Sequence, residues 1–395
     1  MNSEIVSIYR SLSLKIPKGR SAFLWGARKC GKSTLLRTKF PDSLRFDFLR
    51  TDLYFEMAKR PSLLRERILA AKEEHLAFPI ILDEVQKVPQ LLDEVHALIE
   101  DRGLSFILCG SSARKLKAGH ANLLGGRAWR YHLHPLTWAE LQTAGLDPDL
   151  LTILNRGLIP SHFLEPEYKR SLQAYVYDYL KEEIMAEGLA RNVPAYSRFL
   201  DAVAFSHGEI INHSNIARDS GVDSKTVREY FQILSDTLLG YSVEPFAKTR
   251  GREVILKAPK FYLFDVGVAG ILTRRTLEVE KGSEFGKAFE HFIFMELAAY
   301  RSYGGGDFPI RYWRTKAGAE VDFILGEGEV AIEAKSASRV DKEDLRGLSA
   351  FQEEWQPKKA ILVCNEREPR KVGAIEVLPW REFLERLWAG KIIQA

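Results

Sequence analysis

Residues Gly26 to Thr34 read GARKCGKST and fit the pattern G-x-x-x-x-G-K-[ST] at Gly26, Gly31, Lys32 and Ser33 without a mismatch. The apolar run Ser21–Trp25 precedes it, and Thr34-Leu35-Leu36-Arg37 follows as a helix start. A strand, a tight glycine loop and a helix in that order restrict the chain to an α/β fold. Glycines let successive backbone N–H groups close around phosphate oxygens. The loop Gly26, Ala27, Arg28, Lys29, Cys30, Gly31 is therefore expected to cradle phosphates, together with Thr34. Lys32 is expected to reach the β and γ phosphates, and the Ser33 hydroxyl to ligate Mg²⁺. The helix N-terminus adds a favourable field for the anion. The bland alternative is a chance glycine-rich strand-to-helix turn.

About fifty residues on, Phe78 to Glu84 reads FPIILDE, a short apolar run ending in two carboxylates. A buried parallel strand would deliver both to its C-terminal edge. Asp83 is then expected to hold Mg²⁺ through water, and Glu84 to orient and polarise the attacking water. The competing role for Asp83 is a helix cap. Further strand candidates are Leu44–Phe48, Leu104–Cys109 and Trp129–Leu133, with amphipathic stretches at Ser62–His75 and Gln90–Asp101. This βα rhythm predicts a parallel sheet covered on both faces. Gly110-Ser111-Ser112 follows the fourth strand, so a hydroxyl such as that of Ser112 is placed to touch the γ-phosphate or the water. A serine-rich helix cap is the equal alternative.

With 395 residues, 46% hydrophobic and 28% charged, the chain suits a soluble protein of two or three domains. The net charge of +4 permits nucleic-acid contact without arguing for it. The segment MNSEIVSIYR lacks a signal peptide's apolar core, and no uncharged apolar run approaches the roughly 18 residues that span a bilayer. Cys30, Cys109 and Cys364 fit no metal spacing. A cytoplasmic protein with reduced thiols and no membrane partner is the expectation.

Next come Asn122-Leu123-Leu124-Gly125-Gly126-Arg127 and a run from Trp129 to Leu136. The order GxxxxGKST, hhhhDE, GSS, GR, PLTWAEL resembles a group of prokaryotic AAA-type ATPases whose C-terminal half is catalogued as a domain of unknown function. The resemblance covers essentially the whole chain. It implies ATP as the nucleotide and a homo-oligomer in which an arginine after the fourth strand acts on a neighbour's nucleotide. Arg127 matches that position best, with Arg114 and Arg130 as rivals and a plain surface arginine as the alternative.

Residues 136–205 read as a helical connector, with Leu172, Tyr175, Val176, Tyr179, Leu180 and Ile184 on one face of a helix over 168–185. Residues 206–281 carry a helix-turn-helix pattern. Ala217, Gly221 and Val227 mark the packed helix, the turn and the core plug, with Ser214 and Ser224 as expected N-caps. The second helix would face Lys225, Thr226, Arg228 and Glu229 outward, and Leu238–Pro245 would supply a wing. DNA is the expected partner, although many winged helices only join domains or bind protein.

Residues 282–395 form the last block, after an AAA-type core at 1–135. Phe285–Leu297 predicts an amphipathic helix bearing Glu290. A four-residue turn at 326–329 pairs Leu325 with Val330, which sets Asp322 opposite Glu333, while period two puts Glu333 and Lys335 on one face. Two facing carboxylates repel, and a hard cation such as Mg²⁺ or Mn²⁺ between Asp322 and Glu333 would relieve them. Lys335 could then position a hydroxide or steady phosphate charge. The alternative is an ordinary charged surface. Asp322 with Glu333-x-Lys335 and the helix acid Glu290 resembles the core of the restriction-endonuclease-like superfamily. That implies a metal-dependent DNA nuclease, or an inactive platform of the same fold serving an ATP-dependent switch or DNA-binding regulator.

Overall fold

The computed structural model describes residues 8–17, 19–112, 124–179, 192–246 and 258–394. Arg114, Asn122, Leu123, Leu180 and Ile184 lie outside the described residues. The chain divides into two compact units, one of residues 10–135 with 236–239, the other of residues 1–9, 136–235 and 240–395.

The first unit is a five-stranded sheet of β1 (Ser21–Trp25), β2 (Arg45–Asp47), β3 (Ile80–Asp83), β4 (Phe106–Gly110) and β5 (Ala128–His132) in the order β2-β3-β4-β1-β5. Every pairing is parallel. All residues of β1, β3 and β4 are buried, as a sheet covered on both faces requires. Phe23 and Trp25 stack at 5.2 Å and pack with Leu82, Leu108 and Leu98. β1 has the expected bounds, and those of the other four strands differ from the sequence expectation by one or two residues. The amphipathic stretch at 62–75 is two short helices, Leu63–Leu69 and Glu73–Leu76.

The second unit contains a six-stranded sheet of β8 (Ile310–Arg314), β9 (Glu320–Leu325), β10 (Val330–Ala334), β11 (Lys359–Cys364), β12 (Arg370–Val372) and β13 (Ile375–Pro379), ordered β12-β13-β11-β10-β9-β8. β8, β9 and β10 are antiparallel, while β10, β11 and β13 run parallel. Ile332, Ile361 and Val363 face the helices Ser283–Gly304 and Trp380–Trp388. Ala331, Ala360 and Leu362 face the helix Arg346–Trp355. Alternate residues thus feed two cores, as period two demands.

Preceding this sheet, the helices His213–Ser220 and Ser224–Asp236 flank a turn in which Gly221 has φ 69°, a conformation that glycine adopts without strain. Ala217 and Val227 are buried, as expected. The caps differ from the expectation. Asn212 accepts from Asn215 N at 3.1 Å, and Asp223 accepts from Lys225 N and Thr226 N, each at 2.8 Å. Each helix starts one or two residues earlier than the serines allow, so an Asx side chain stands at the turn. Phe199 of the helix Val193–Phe205 packs on Tyr230 and Phe231. The stretch Leu238–Pro245, where a wing is expected, contains β6 (Gly240–Val243), which pairs antiparallel with β7 (Lys260–Leu263). The helix Tyr168–Ala174 passes into a π turn at Tyr175–Tyr179, with Leu172, Tyr175 and Val176 buried. Among the described residues, no helix is long and apolar enough to cross a membrane.

Glu296 is buried within the second unit and accepts from Trp138 N and from Trp388 Nε1, each at 2.7 Å. Burial, with Glu140 nearby, pushes its pKa up to about 7. A raised acid pKa means that the folded state holds a proton the unfolded chain has released, so stability falls as pH rises from about 4.5 to about 7. We expect Glu296→Gln to flatten that slope. Thermal unfolding of both proteins from pH 5 to 8 checks this, and parallel profiles would contradict it.

Candidate nucleotide site and a buried acid cluster

Parallel pairing brings the ends of β1, β3 and β4 to one edge of the first sheet, and the glycine loop and the two acids meet there. Ser33 Oγ donates to Asp83 Oδ2 at 2.6 Å, so the two expected metal-side residues are brought together from fifty positions apart. Asp83 Oδ1 is buried with no hydrogen bond. A hydroxyl and a carboxylate in contact, with one anionic oxygen unsatisfied, suit a hard cation such as Mg²⁺. Lys32 is buried and donates to Gly26 O at 2.7 Å and Ala27 O at 3.2 Å, so its ammonium lies along its own loop. Gly26 is needed for space, since a Cβ there would lie 2.5 Å from Leu133 O.

Glu84 is buried and holds φ 58°, a conformation that costs a non-glycine residue about 1–3 kcal/mol. Gln86 Nε2 donates to Glu84 Oε2 at 2.5 Å and to Ser111 Oγ at 3.2 Å. Ser111 and Ser112 are both buried beyond β4. Gly110 leaves room for this bracket, because a Cβ there would fall 2.4 Å from Gln86 Oε1. Neither Gln86 nor Arg10 stood out in the sequence. Buried Arg10 donates to Cys30 O, to His134 O at 2.6 Å and to Pro135 O at 3.1 Å, tying the loop to the segment after β5.

Arg127 lies at the opposite edge. Its carbonyl accepts from Ser21 N at 3.0 Å, at the start of β1, whereas the loop follows the end of β1. The length of that strand separates Arg127 from its own loop. The Arg127 guanidinium pairs with Glu100 at 2.5 Å. Arg130 is exposed on the edge strand β5.

In the second unit, the β9–β10 hairpin has the expected register, Val330 with Leu325 and Ile332 with Phe323. Continuing it sets Glu333 against Asp322. The two carboxylates are nonetheless satisfied differently. Asp322 Oδ2 accepts from Ala334 N at 2.9 Å, and Glu333 Oε1 pairs with Lys335 Nζ at 2.7 Å, leaving the buried Glu333 Oε2 without a hydrogen bond. The unexpected member is Lys260. Its buried ammonium lies 2.7 Å from Glu320, 3.3 Å from Glu290 and 3.4 Å from Asp322. Tyr262 donates to Glu290. Burial, reinforced by Asp322, raises the Glu290 pKa to about 7 and that of Glu333 well above the usual carboxylate range. Burial opposes a charged Lys260, but the acidic side chains around it outweigh that and raise its pKa. Among the described residues, no group of three His, Cys, Asp or Glu side chains is arranged to hold a metal ion. The expected metal pair Asp322 and Glu333 therefore does not present a cation site as it stands, because lysines already face both acids.

Residues 18–142 match a family model described as an AAA domain. Residues 147–278 and 285–383 match two models, each described as a domain of unknown function (DUF8612 and DUF4143). The chain is 26% identical over 316 residues to an uncharacterized protein of Mycobacterium tuberculosis, a match covering 76% of this chain and 66% of that protein. The figures are the same for an uncharacterized protein of Mycobacterium bovis. An uncharacterized protein of Haemophilus influenzae is 21% identical over 381 residues, covering 89% of this chain and 91% of its own. The match thus spans just under two thirds of the mycobacterial relatives' length. The AAA likeness marks residues 18–142 as an ATPase-type module.

Gln86 supplies a test of the bracket around Glu84. We expect Gln86→Ala to lower kcat for ATP while KM changes little, because the side chain positions the acid and touches no phosphate. Steady-state ATPase kinetics check this, and an unaltered kcat would show that Glu84 is held by its backbone alone.

Proposed function

We propose that this protein is a Mg²⁺-dependent ATPase that serves as a nucleotide switch on DNA. In this reading residues 1–135 are the AAA-type core, 136–205 a connector, 206–281 a winged helix and 282–395 a nuclease-like platform. The Ser33–Asp83 contact of 2.6 Å carries the first part, since it joins the two residues that the phosphate-loop chemistry requires at one cation. Bound there, Mg²⁺ would neutralise charge on the β and γ phosphates. Lys32 would exchange its loop carbonyls for phosphate oxygens. Glu84, held by Gln86, would accept a hydrogen bond from the attacking water and orient it in line. Ser112, buried beyond β4 beside Ser111, would offer a hydroxyl to the γ-phosphate or the water.

The DNA part is supported by the second helix of the pair, which exposes Lys225, Arg228 and Glu229, with Thr226 half-buried beside them. The pairing of β6 with β7 supports the wing. A second reading, a metal-dependent DNA nuclease using Asp322, Glu333, Lys335 and Glu290 with Mg²⁺ or Mn²⁺, is favoured by the hairpin register. The Lys260 ammonium among the acids favours the switch.

Two experiments test the ATPase. We expect Lys32→Ala to abolish nucleotide binding and Glu84→Gln to keep binding but lose turnover, measured by fluorescent-nucleotide titration and phosphate release. Normal rates in both would refute the assignment.

A homo-oligomer is the reading in which Arg127, placed away from its own loop, would act on a neighbour's phosphates after leaving Glu100. ATPase specific activity should then rise with protein concentration. Arg127→Ala should lower the rate with nucleotide affinity kept, in the direction of the roughly 10³–10⁵ that arginine fingers contribute in GTPases. A rate independent of concentration in a stable monomer would reject the finger.

A further inference from the structure

Lys260 and the acids it meets belong to different parts of the second unit. Glu290 comes from the helix Ser283–Gly304, and Glu320 and Asp322 from β9. Lys260 opens β7, whose backbone is held from two sides. β7 pairs with β6, Gly208 N donates to Phe261 O at 2.9 Å, and Ile211 N donates to Pro259 O at 2.9 Å. His291 Nε2 donates to Leu263 O at 2.7 Å, and Tyr312 OH to Ala258 O at 2.6 Å. The ammonium is thus fixed in a cavity of about 280 Å³ lined by Glu290, Glu320, Asp322 and Glu333, with Lys335, Lys287 and Arg314 also at its wall.

We propose that Lys260 is a tethered cation, holding among Glu290, Glu320 and Asp322 the place that a free divalent cation would take, so that the acid cluster is latent while the ammonium is there. This rests on the reading of residues 282–395 as a nuclease-like module. Three oxygens from three acids lie within 3.4 Å of one nitrogen, which is how a buried cation is satisfied when no water is present. Lys335 does not fill the same role, since it pairs with Glu333 and is partly exposed. Glu333 also lines this cavity, and its buried Oε2 has no hydrogen bond, so it is an oxygen left over once both lysines are placed. Hard oxygen ligands of this kind select Mg²⁺ or Mn²⁺ when the ammonium is gone.

The test uses the full-length chain without nucleotide, titrated with Mn²⁺ alone by calorimetry and by loss of the free-ion paramagnetic resonance signal. Lys260→Met keeps the apolar stem and removes the charge. It should gain a Mn²⁺ site that wild type and Lys260→Arg lack, and Asp322→Asn in the same background should abolish it. Mn²⁺ should raise the melting temperature of Lys260→Met and leave that of wild type unchanged. A folded Lys260→Met protein that gains no site overturns the proposal. Should that variant fail to fold, Lys260→Gln removes the charge while keeping a hydrogen-bond donor for the acids and should show the same site, and its absence is equally decisive. An Asp322-dependent Mn²⁺ site in wild type overturns the proposal whichever variants fold. Supercoiled DNA added to the Mn²⁺-loaded variant separates the two levels. Cleavage supports both the tethered cation and the nuclease, whereas Mn²⁺ binding without cleavage supports the tethered cation and removes the nuclease.

Discussion

An ionised carboxylate cannot leave water without a cation or hydrogen-bond donors to face it, and both units are arranged around that constraint. In the first, Asp83 and Glu84 are buried at the end of β3 and are met by neutral donors, the Ser33 hydroxyl and the Gln86 amide. Lys32 is turned to loop carbonyls. The side chains that meet these two acids are uncharged, which leaves their oxygens to a nucleotide-bound cation. In the second, Asp322 and Glu333 are met by Lys260 and Lys335. There the chain supplies its own positive charge. Two unit charges about 4 Å apart attract by about 4 kcal/mol at an effective dielectric of 20, and leaving one of a buried pair alone costs about 3–5 kcal/mol. The same residue types are thus met by uncharged donors in one place and by lysines in the other.

What the sequence made legible was local. The glycine loop, the strand ending in Asp83-Glu84 and the Leu325–Val330 turn each depend on residues close together in the chain, and each stands where its spacing puts it. The helix pair was legible for the same reason, through Ala217, Gly221 and Val227. Its caps were misread because serine, asparagine and aspartate all serve there. Only the turn geometry selects Asn212 and Asp223. Lys260 was not legible at all. It opens an apolar strand, KFYLF, where a lysine reads as a strand-edge charge. Its three partners follow 30, 60 and 62 residues later. No local period connects them, and only tertiary packing brings them to one point.

Strain tells a similar story in the first unit. A glutamate with φ 58° would be a poor choice in an ordinary turn. Here the bracket of Gln86, Ser111 and the space at Gly110 over-determines it. Backbone outliers that persist in this way cluster at functional sites. The observed conformation therefore supports a working Glu84 independently of the motif that first suggested it.

The placement of Lys260 ties the helix pair to the acid-bearing sheet. Carried on β7, it is attached by backbone pairing to β6, and β6 leads onward to β8 through a bridge between Pro245 and Tyr312. β7 also packs on that sheet and its helix directly. Tyr262 stacks on Phe294 at 4.3 Å and meets Phe323 at 6.1 Å, and His291 Nε2 donates to Leu263 O at 2.7 Å. The Lys260 ammonium is therefore one part of a packed core, and all three acids face the same nitrogen. Removing its charge would leave those acids buried without their cation, a cost of about 3–5 kcal/mol. A captured divalent cation would recover part of that cost, so cation binding and stability would rise together in a chain without the ammonium.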